Sequence, residues 1–203
     1  MNVIVIDYGM GNLYSVVSGL KALGVETNIT SSSEDISNAS HIILPGVGSF
    51  SEGIRNLKES KLDVAISDAI KSKNVSLLGI CLGMQLLAER GTEGSECNGL
   101  GLIRGEVKKF EQNESGERIP HMGWNEVRHN NNSLMKGIPS GNDFYFLHSY
   151  YFNPTFKRNI VSTTPYLGNF ASSINDERVW GVQFHPEKSS KYGLKLLENF
   201  LNV

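Results

Sequence analysis

The sequence has few cysteines, little excess charge and no long apolar run. Its two cysteines, Cys81 and Cys97, are too few for the disulfide scaffold of a small secreted domain. Nineteen basic and twenty-one acidic side chains leave a net charge of −2, which argues against the basic face that nucleic-acid binding requires. No apolar run approaches the roughly 20 residues of a membrane span, and the first residues carry no signal pattern. We therefore expect a reduced, cytoplasmic protein that binds neither nucleic acid nor membrane.

The 203-residue chain also lacks an internal repeat, a low-complexity tract and a Pro/Gly/Ser-rich linker. A soft prior of about 150 residues per domain favours one domain, which we expect to span residues 1–203. A globular chain of this length buries roughly 70% of its unfolded surface. Its core should therefore need neither a disulfide nor a structural metal.

Short apolar segments alternate with helical patterns in the first half of the chain. Continuous apolar strands of this kind are typical of a parallel sheet that helices cover on both faces. Predicted strands cover residues 3–6, 25–30, 41–44 and 75–80, and predicted helices cover residues 13–23, 50–58, 62–73 and 83–90.

The second half reads differently, as strands joined by turns with one closing helix. These strands are predicted over residues 106–110, 124–127, 143–152, 160–164, 170–174 and 179–184, and the helix over about 189–201. The sequence therefore predicts an α/β fold. Its central sheet is mostly parallel and flanked by helices, with additional antiparallel or mixed strands in the second half.

A cysteine lies between a predicted buried strand and a predicted helix. It is flanked by glycines in Gly79-Ile80-Cys81-Leu82-Gly83, the cysteine version of a nucleophile elbow. The tight strand-to-helix turn leaves no room for larger side chains at the glycine positions. The helix start presents unpaired N–H groups and the positive end of its dipole, which favour a negative charge there. The alternative is a buried structural cysteine, the usual fate of a lone cysteine.

A histidine and a carboxylate follow the last predicted strand. His185 ends that strand and Glu187 comes two residues later, so extended backbone can place both on one side. A cysteine nucleophile needs a base within hydrogen-bond reach and a third group that orients the base. His-Pro-Glu alone would be more typical of a surface turn. Together with the elbow, it favours a Cys/His/Glu triad.

A glycine-rich loop, Pro45-Gly46-Val47-Gly48, follows the third predicted strand. Acyl transfer needs backbone N–H groups aimed at a developing oxyanion, and glycines let the backbone turn and approach a substrate closely. The alternative is a common strand-end turn. The loop lacks the Gly-Lys-Ser/Thr ending of a phosphate-binding P-loop.

Several segments together resemble the class I, or triad, glutamine amidotransferases. They are Asp7-Tyr8-Gly9-Met10-Gly11-Asn12, Pro45-Gly46-Val47-Gly48-Ser49-Phe50, Gly79-Ile80-Cys81-Leu82-Gly83-Met84-Gln85 and Gln183-Phe184-His185-Pro186-Glu187-Lys188-Ser189. Two more narrow the resemblance to the glutaminase subunits of imidazole glycerol phosphate synthase: Pro120-His121-Met122-Gly123-Trp124-Asn125 and Phe146-Leu147-His148-Ser149-Tyr150-Tyr151. The resemblance covers essentially the whole chain and implies a flavodoxin-like α/β fold.

This resemblance implies a role for each matched residue. Cys81 would be the nucleophile, His185 the general base and acid, and Glu187 its orienting partner. The implied oxyanion hole consists of the Leu82 N–H and one from the glycine loop, at Val47 or Gly48. The residues implied to hold glutamine are Gly46, Gly48, Gln85, Glu93, Ser149 and Tyr150. No metal or organic cofactor is implied.

The resemblance also implies a protein partner. Ammonia would pass to a separate (β/α)₈ cyclase of the HisF type, forming a heterodimer that makes imidazole glycerol phosphate and an aminoimidazole carboxamide ribotide. The residues implied to lie at that interface or along the ammonia passage are Asn12, Met122, Trp124, Tyr145 and Lys188. Met and aromatic residues are enriched at interfaces. The alternative for Met122 and Trp124 is a place in the core.

One segment departs from the family pattern. Leu167 separates Tyr166 and Gly168, which we expect side by side, so the turn is predicted to be one residue longer. The departure also fits a paralogous amidotransferase that serves another synthase, such as one aminating a sugar nucleotide for surface polysaccharide.

Two further alternatives belong to other functional classes. One is a cysteine hydrolase of the PfpI/DJ-1 class. In that class a histidine tends to follow the elbow cysteine, where this chain has Leu82. The other is a catalytically inactive scaffold subunit, against which the intact triad residues argue. Cys97, in a Gly-rich loop, is predicted to be a bystander.

Overall fold

The computed structural model describes residues 1–72, 75–112, 114 and 116–203. Its strands are β1 (Val3–Ile6), β2 (Thr27–Thr30), β3 (His41–Gly46), β4 (Ser76–Cys81), β5 (Arg90–Gly91), β6 (Cys97–Asn98), β7 (Gly105–Lys109), β8 (His121–His129), β9 (Asn142–His148), β10 (Tyr150–Pro154), β11 (Ile160–Pro165), β12 (Asn169–Asp176) and β13 (Val179–Val182). Its helices are α1 (Leu13–Ala22), α2 (Ser33–Asn38), α3 (Phe50–Glu59), α4 (Leu62–Ser72), α5 (Leu82–Leu86) and α6 (Ser190–Phe200), with 3₁₀ turns at Lys157–Asn159 and Pro186–Lys188.

A mixed nine-stranded sheet organises the fold, in the order β2-β1-β3-β4-β13-β12-β11-β8-β9. The strands from β2 to β13 pair in parallel, and those from β13 to β9 pair antiparallel. A second, four-stranded sheet has the order β10-β7-β5-β6. The predicted α/β fold is confirmed. The described central sheet is mixed, however, with four parallel and four antiparallel pairings, and not mostly parallel as predicted.

Strand β1 shows why the parallel strands are continuously apolar. All four of its residues are buried, and they alternate between two hydrophobic clusters. Ile4 and Ile6 pack in the cluster that includes residues of α3 and α4. Val3 and Val5 pack in the cluster that includes residues of α1 and α6. Because helices cover both faces, neither set of side chains in this strand needs to be polar.

The parallel arrangement brings several loops to one edge of the sheet. The carboxyl ends of β1, β3, β4 and β13 lead into residues 7–12, residues 47–49, Cys81 with α5, and residues 183–187. In open α/β sheets, ligands bind at this edge. None of the helices in the described part of the chain is long and apolar enough to cross a membrane.

Some element predictions are wrong. The helix predicted over residues 83–90 ends at Leu86, because the following chain turns into β5, which pairs with β6 and β7. The strand predicted over residues 143–152 is two strands, since Ser149 separates β9 in the large sheet from β10 in the small one. The sequence reading also missed α2, β5 and β6.

The other predicted elements agree with the structure to within three residues at each end. The final residue of the helix predicted over 62–73 lies outside the described residues.

Candidate active site

Cys81 lies at the junction of β4 and α5 in a strained backbone conformation. Its φ is 55° and its ψ is −110°, and positive φ is uncommon for a residue with a side chain. The flanking glycines make the turn sterically feasible. A Cβ at Gly79 would lie 2.5 Å from the Gly83 carbonyl oxygen, and one at Gly83 would lie 1.7 Å from the Leu44 carbonyl oxygen. The close packing therefore holds the cysteine backbone at the sharp elbow that the sequence predicts.

His185 and Glu187 form a buried pair beside the elbow. The His185 Nδ1 lies 2.8 Å from Glu187 Oε1, and the two side chains are 4% and 2% exposed. The His185 backbone N–H donates to the Tyr145 carbonyl oxygen at 2.9 Å, which anchors the backbone that carries the imidazole. The Glu187 carboxylate accepts a hydrogen bond from Nδ1–H, so the other ring nitrogen of His185, Nε2, is available to the Cys81 thiol.

The surroundings of His185 favour its charged form. Burial by itself would lower the pKa of His185, but hydrogen bonds to Cys81 and Glu187, with their charges, outweigh it and raise the pKa to about 10. His185 is therefore protonated at neutral pH. The Cys81 sulfur, whose nucleophilic form is the thiolate, therefore has a cationic neighbour.

The segment predicted as a glycine loop lies against the elbow. Its first two residues, Pro45 and Gly46, are the end of β3, and Val47 and Gly48 follow the strand. Gly46 is the register partner of Cys81 in the β3–β4 pair. Gly48 has a φ of 101°, a conformation that glycine adopts readily. The Val47 side chain is 45% exposed, so this loop lies at the surface above the cysteine.

A cavity of about 310 Å³ opens between these elements. Most of the predicted site residues line it: Val47, Gly48, Cys81, Leu82, Gln85, Glu93, Ser149, Tyr150, His185 and Lys188. Three residues that the sequence reading did not single out line it as well: Pro120, Leu147 and His148. Gly46 and Glu187 are not among the lining residues.

Gln85 belongs to a buried amide network under the cavity. Its Nε2 donates to the Tyr150 carbonyl oxygen at 2.8 Å and to Gln183 Oε1 at 3.0 Å. The Gln183 Nε2 in turn lies 3.7 Å from the Cys81 sulfur, within hydrogen-bond range for sulfur. Sequence reasoning missed Gln183. The available signal was its amide side chain directly after β13, between the apolar residues Val182 and Phe184.

Glu93 supplies a half-buried carboxylate to the cavity. Burial raises the pKa of Glu93, opposed by a hydrogen bond from the Phe50 backbone. Its backbone carbonyl accepts from the Ser51 N–H at 3.2 Å, which ties the segment after β5 to the start of α3.

His121 and His148 form a second buried imidazole pair, which sequence reasoning used only as family markers. The His148 Nδ1 lies 2.8 Å from the Tyr150 carbonyl oxygen, so it must carry the proton. The His121 Nδ1 lies 3.0 Å from His148 Nε2, and Asn125 Nδ2 lies 3.1 Å from His121 Nε2. Donor and acceptor roles therefore run in one direction from Asn125 to Tyr150.

Burial keeps both of these rings neutral. It lowers the pKa of His121 to about 4, against the opposing charge of Glu117. It lowers the pKa of His148 to about 3, with the charges of His121 and His185 acting in the same direction. The neutral pair therefore contrasts with the charged His185 nearby.

Beside the cavity lies an apolar surface patch consisting of Val47, Met122, Trp124 and Leu147. Met122 is 67% exposed and Trp124 is 54% exposed, so the alternative that these two are core residues is wrong. Met122 is the register partner of Leu147, which is 43% exposed. Val47 and Leu147 also line the cavity, so the patch reaches its rim.

Tyr145 and Lys188 connect this patch to the triad. The Tyr145 ring centroid lies 6.2 Å from that of Trp124 and 6.3 Å from that of His185. The Lys188 ammonium lies 5.7 Å from the Tyr145 ring centroid. Asn12 instead caps α1, where its Oδ1 accepts from the Ser15 N–H at 3.4 Å.

The additional leucine lies in a three-residue turn between β11 and β12. Leu167 has a φ of 49°, and its N–H donates to Glu117 Oε2 at 2.6 Å. Tyr166 stacks on His121 with 3.9 Å between ring centroids. Pro165 and Asn169 pair with each other across this turn. Among the residues described, no cluster of three or more His, Cys, Asp or Glu side chains has a geometry that would hold a metal ion.

Comparison with known sequences identifies the family. The family model for glutamine amidotransferase class-I matches residues 4–203. Over 197 residues the chain is 47% identical to the imidazole glycerol phosphate synthase subunit HisH of Moorella thermoacetica, covering 97% of this chain and 92% of that one. Over 200 residues it is 45% identical to subunit HisH 1 of Campylobacter jejuni subsp. jejuni serotype O:23/36 (strain 81-176), covering 98% of both.

Solved structures show the same fold at lower identity. The structure of PurLQS from Thermotoga maritima matches with a TM-score of 0.75 at 21% identity, covering 99% of this chain and 97% of that one. A glutamine amidotransferase structure matches with a TM-score of 0.74 at 18% identity, covering 98% and 99%. The family match over residues 4–203 excludes the PfpI/DJ-1 alternative. The chain belongs to the class-I glutamine amidotransferases and, within them, to the HisH subunits of imidazole glycerol phosphate synthase.

Proposed function

We propose that this chain hydrolyses L-glutamine to L-glutamate and ammonia, with Cys81, His185 and Glu187 as its catalytic triad. The observation that carries this proposal is the strained cysteine beside a buried His–Glu pair, at the floor of a cavity of about 310 Å³. The pocket is large enough for a free amino acid. We place the whole activity in one domain over residues 1–203.

In the first step, the Cys81 thiolate attacks the side-chain amide carbon of glutamine and forms a C–S bond. Negative charge then develops on the amide oxygen, where the Leu82 N–H and one N–H of the Val47–Gly48 segment stabilise it. The His185 imidazolium donates its proton to the amide nitrogen. The C–N bond breaks, ammonia leaves and a thioester remains on Cys81.

In the second step, water releases the product. His185, now neutral, takes a proton from the water as it attacks the thioester carbon. The C–S bond breaks, glutamate leaves and the thiolate is restored beside the imidazolium. Glu187 holds the Nδ1 proton in place throughout, so the reacting nitrogen always faces the sulfur.

The residues around the pocket would position the substrate before it reacts. The Glu93 carboxylate suits the α-ammonium group of glutamine. The Ser149 and Tyr150 segment offers backbone groups at the point where the chain changes sheets, and Gly46 and Gly48 let the loop approach the substrate closely. Gln85 supports the Tyr150 carbonyl from below.

Ammonia would pass from this site to a HisF-type (β/α)₈ cyclase in a cytoplasmic heterodimer. The exposed apolar patch supports this, because Met and Trp are enriched at protein interfaces and this patch reaches the cavity rim. Tyr145 and Lys188, between the patch and His185, would border the passage. Asn12 would lie at the edge of the same interface. The cyclase would use the ammonia to make imidazole glycerol phosphate in histidine biosynthesis.

The resting loop would limit wasteful hydrolysis. We propose that the Gly46–Val47 peptide stands in an unproductive orientation until the cyclase binds. The partner would then shift it so that its N–H faces the substrate oxygen. The glycines on either side of Val47 allow such a rotation.

Glutaminase assays on the purified protein test this function. We expect a low rate for the protein alone, a strong rise with a HisF-type cyclase and its nucleotide ligand, and no activity for Cys81→Ala. Cys97→Ala is the matched control and should keep the stimulated rate. Absence of hydrolysis under every condition would favour the inactive scaffold. A cyclase that binds without stimulating hydrolysis would favour a paralogous synthase.

A further inference from the structure

The Tyr8 hydroxyl is buried without a hydrogen-bond partner among the described residues. The side chain is 5% exposed, and the Tyr8 backbone is fixed by Asn56, whose Nδ2 donates to the Tyr8 carbonyl oxygen at 3.1 Å. An unpaired buried hydroxyl destabilises a fold, because it has lost its hydrogen bonds to water. Such a group in a native protein calls for a physical explanation.

The hydroxyl lies against Gly46, the residue before the proposed donors of the glycine loop. A Cβ at Gly46 would lie 2.3 Å from Tyr8 Oη, 2.9 Å from Leu82 Cβ and 3.0 Å from the Gly83 nitrogen. Gly46 is thus enclosed between the Tyr8 hydroxyl and the start of α5. Burial, and also the nearby Cys81 charge, raise the pKa of Tyr8 far above its usual range. The hydroxyl therefore keeps its proton and is available as a hydrogen-bond donor.

The segment that carries Tyr8 covers both ends of the glycine loop. A Cβ at Gly48 would lie 2.7 Å from Met10 Cε, just as one at Gly46 would collide with Tyr8. Because residues 8–10 contact both glycines of the loop, displacing the whole segment would require these residues to move as well. A rotation of one peptide plane needs much less space.

We propose that Tyr8 is a positioning residue for the oxyanion loop, donating a hydrogen bond to the Gly46 carbonyl oxygen when the Gly46–Val47 peptide rotates into its productive orientation. This proposal rests on the glutaminase function proposed above. In the resting state the hydroxyl is unpaired, and in the productive state it is paired. The lone hydroxyl thereby destabilises the resting state relative to the active one, which makes the rotation easier for the partner to induce.

The substitution Tyr8→Phe tests this, because it removes one oxygen atom and keeps the ring. We expect the cyclase-stimulated kcat for glutamine hydrolysis to fall about three- to tenfold, the effect of one hydrogen bond, with KM for glutamine unchanged. The melting temperature of the isolated subunit should rise, since the variant no longer buries an unpaired hydroxyl. Tyr192→Phe, in α6, is the matched control and should keep the same kcat and KM as the unsubstituted protein.

Each other outcome overturns the proposal. A lower melting temperature would mean that the hydroxyl is already paired in the resting state. An unchanged stimulated kcat would mean that it does not act on the loop. If the unsubstituted protein shows cyclase stimulation, either result removes Tyr8 alone and leaves the proposed function in place. If it shows none, both proposals fail together.

Discussion

His121 and His148 face each other across β8 and β9 with 3.0 Å between their ring nitrogens, and neither ring is charged. Each imidazole is held neutral by burial and by a donor on its unprotonated nitrogen. His148 Nε2 accepts from His121, and His121 Nε2 accepts from Asn125. A proton added to either ring would place two donors against each other. The pair therefore tolerates only one of its protonation states.

Acid should destabilise the protein through this pair. The unfolded rings bind a proton near pH 6.5, whereas the folded rings do so only near pH 4 and 3. Because the unfolded state binds more protons in between, the stability is present above pH 6.5 and is lost as pH falls. We expect a melting temperature several degrees lower at pH 5 than at pH 7, measured by thermal unfolding.

His121→Gln should flatten this dependence. The amide can still bridge the neighbouring groups but takes up no proton, so the drop between pH 7 and pH 5 should shrink. A variant with the same drop as the unsubstituted protein would contradict the assignment to this pair.

Loss of the Glu187 charge should impair catalysis without unfolding the protein. Glu187→Gln keeps the shape of a side chain that is 2% exposed but no longer fixes the Nδ1 proton of His185. By analogy with other triads, we expect the stimulated kcat to fall by about 10²–10⁴-fold. Glu198→Gln, which alters a 49% exposed carboxylate paired with Lys195, is the control and should retain full activity.

The elbow should not accept a methyl group at Gly83. A Cβ there would lie 1.7 Å from the Leu44 carbonyl oxygen, and backbone cannot move as a flexible side chain does. We expect Gly83→Ala to lower the free energy of unfolding by about 3 kcal/mol or more, measured with urea. In Gly19→Ala the new Cβ would be 3.3 Å from Leu197 Cδ1, a flexible contact, and the loss should stay within about 1 kcal/mol.

Truncation of the exposed patch should weaken the complex and spare the fold. Trp124 is 54% exposed, so Trp124→Ala should change the melting temperature little. A buried aromatic anchor at an interface typically contributes 2 kcal/mol or more, so the Kd for the cyclase should rise by about 30-fold. Val64→Ala removes an exposed apolar side chain elsewhere, on α4, and should leave the Kd unchanged. Equal affinities for both variants would exclude the patch as the docking site.

Local sequence patterns were sufficient to predict those elements whose structure is determined by neighbouring residues in the chain. The apolar runs of β1 and β4 predict buried parallel strands, and the glycines around Cys81 predict a tight turn. The shortened α5 was not predictable in this way. Its end is set by pairing of Arg90 and Gly91 with segments that lie further along the chain.

The buried polar residues of the site were harder to predict for a related reason. Gln183 contacts Gln85 and Cys81, which are about 100 residues away in the chain. His148 gains its significance from His121 on the facing strand and from the carbonyl beyond the break at Ser149. Nothing in the sequence around these residues marks them as paired, since their partners come from distant segments that only the folded sheet brings together.

The two faces of the β8–β9 hairpin contribute to different sites. Consecutive register pairs alternate: His121 and His148 are buried, with His148 lining the cavity, and Met122 and Leu147 are exposed. A protein seated on the outer side would press on the same two strands whose inner side holds the Tyr150 carbonyl. Docking would then act on the substrate pocket through these two strands as well as through the glycine loop. An artificial binder selected against the outer side alone should therefore act as a modulator of glutamine affinity.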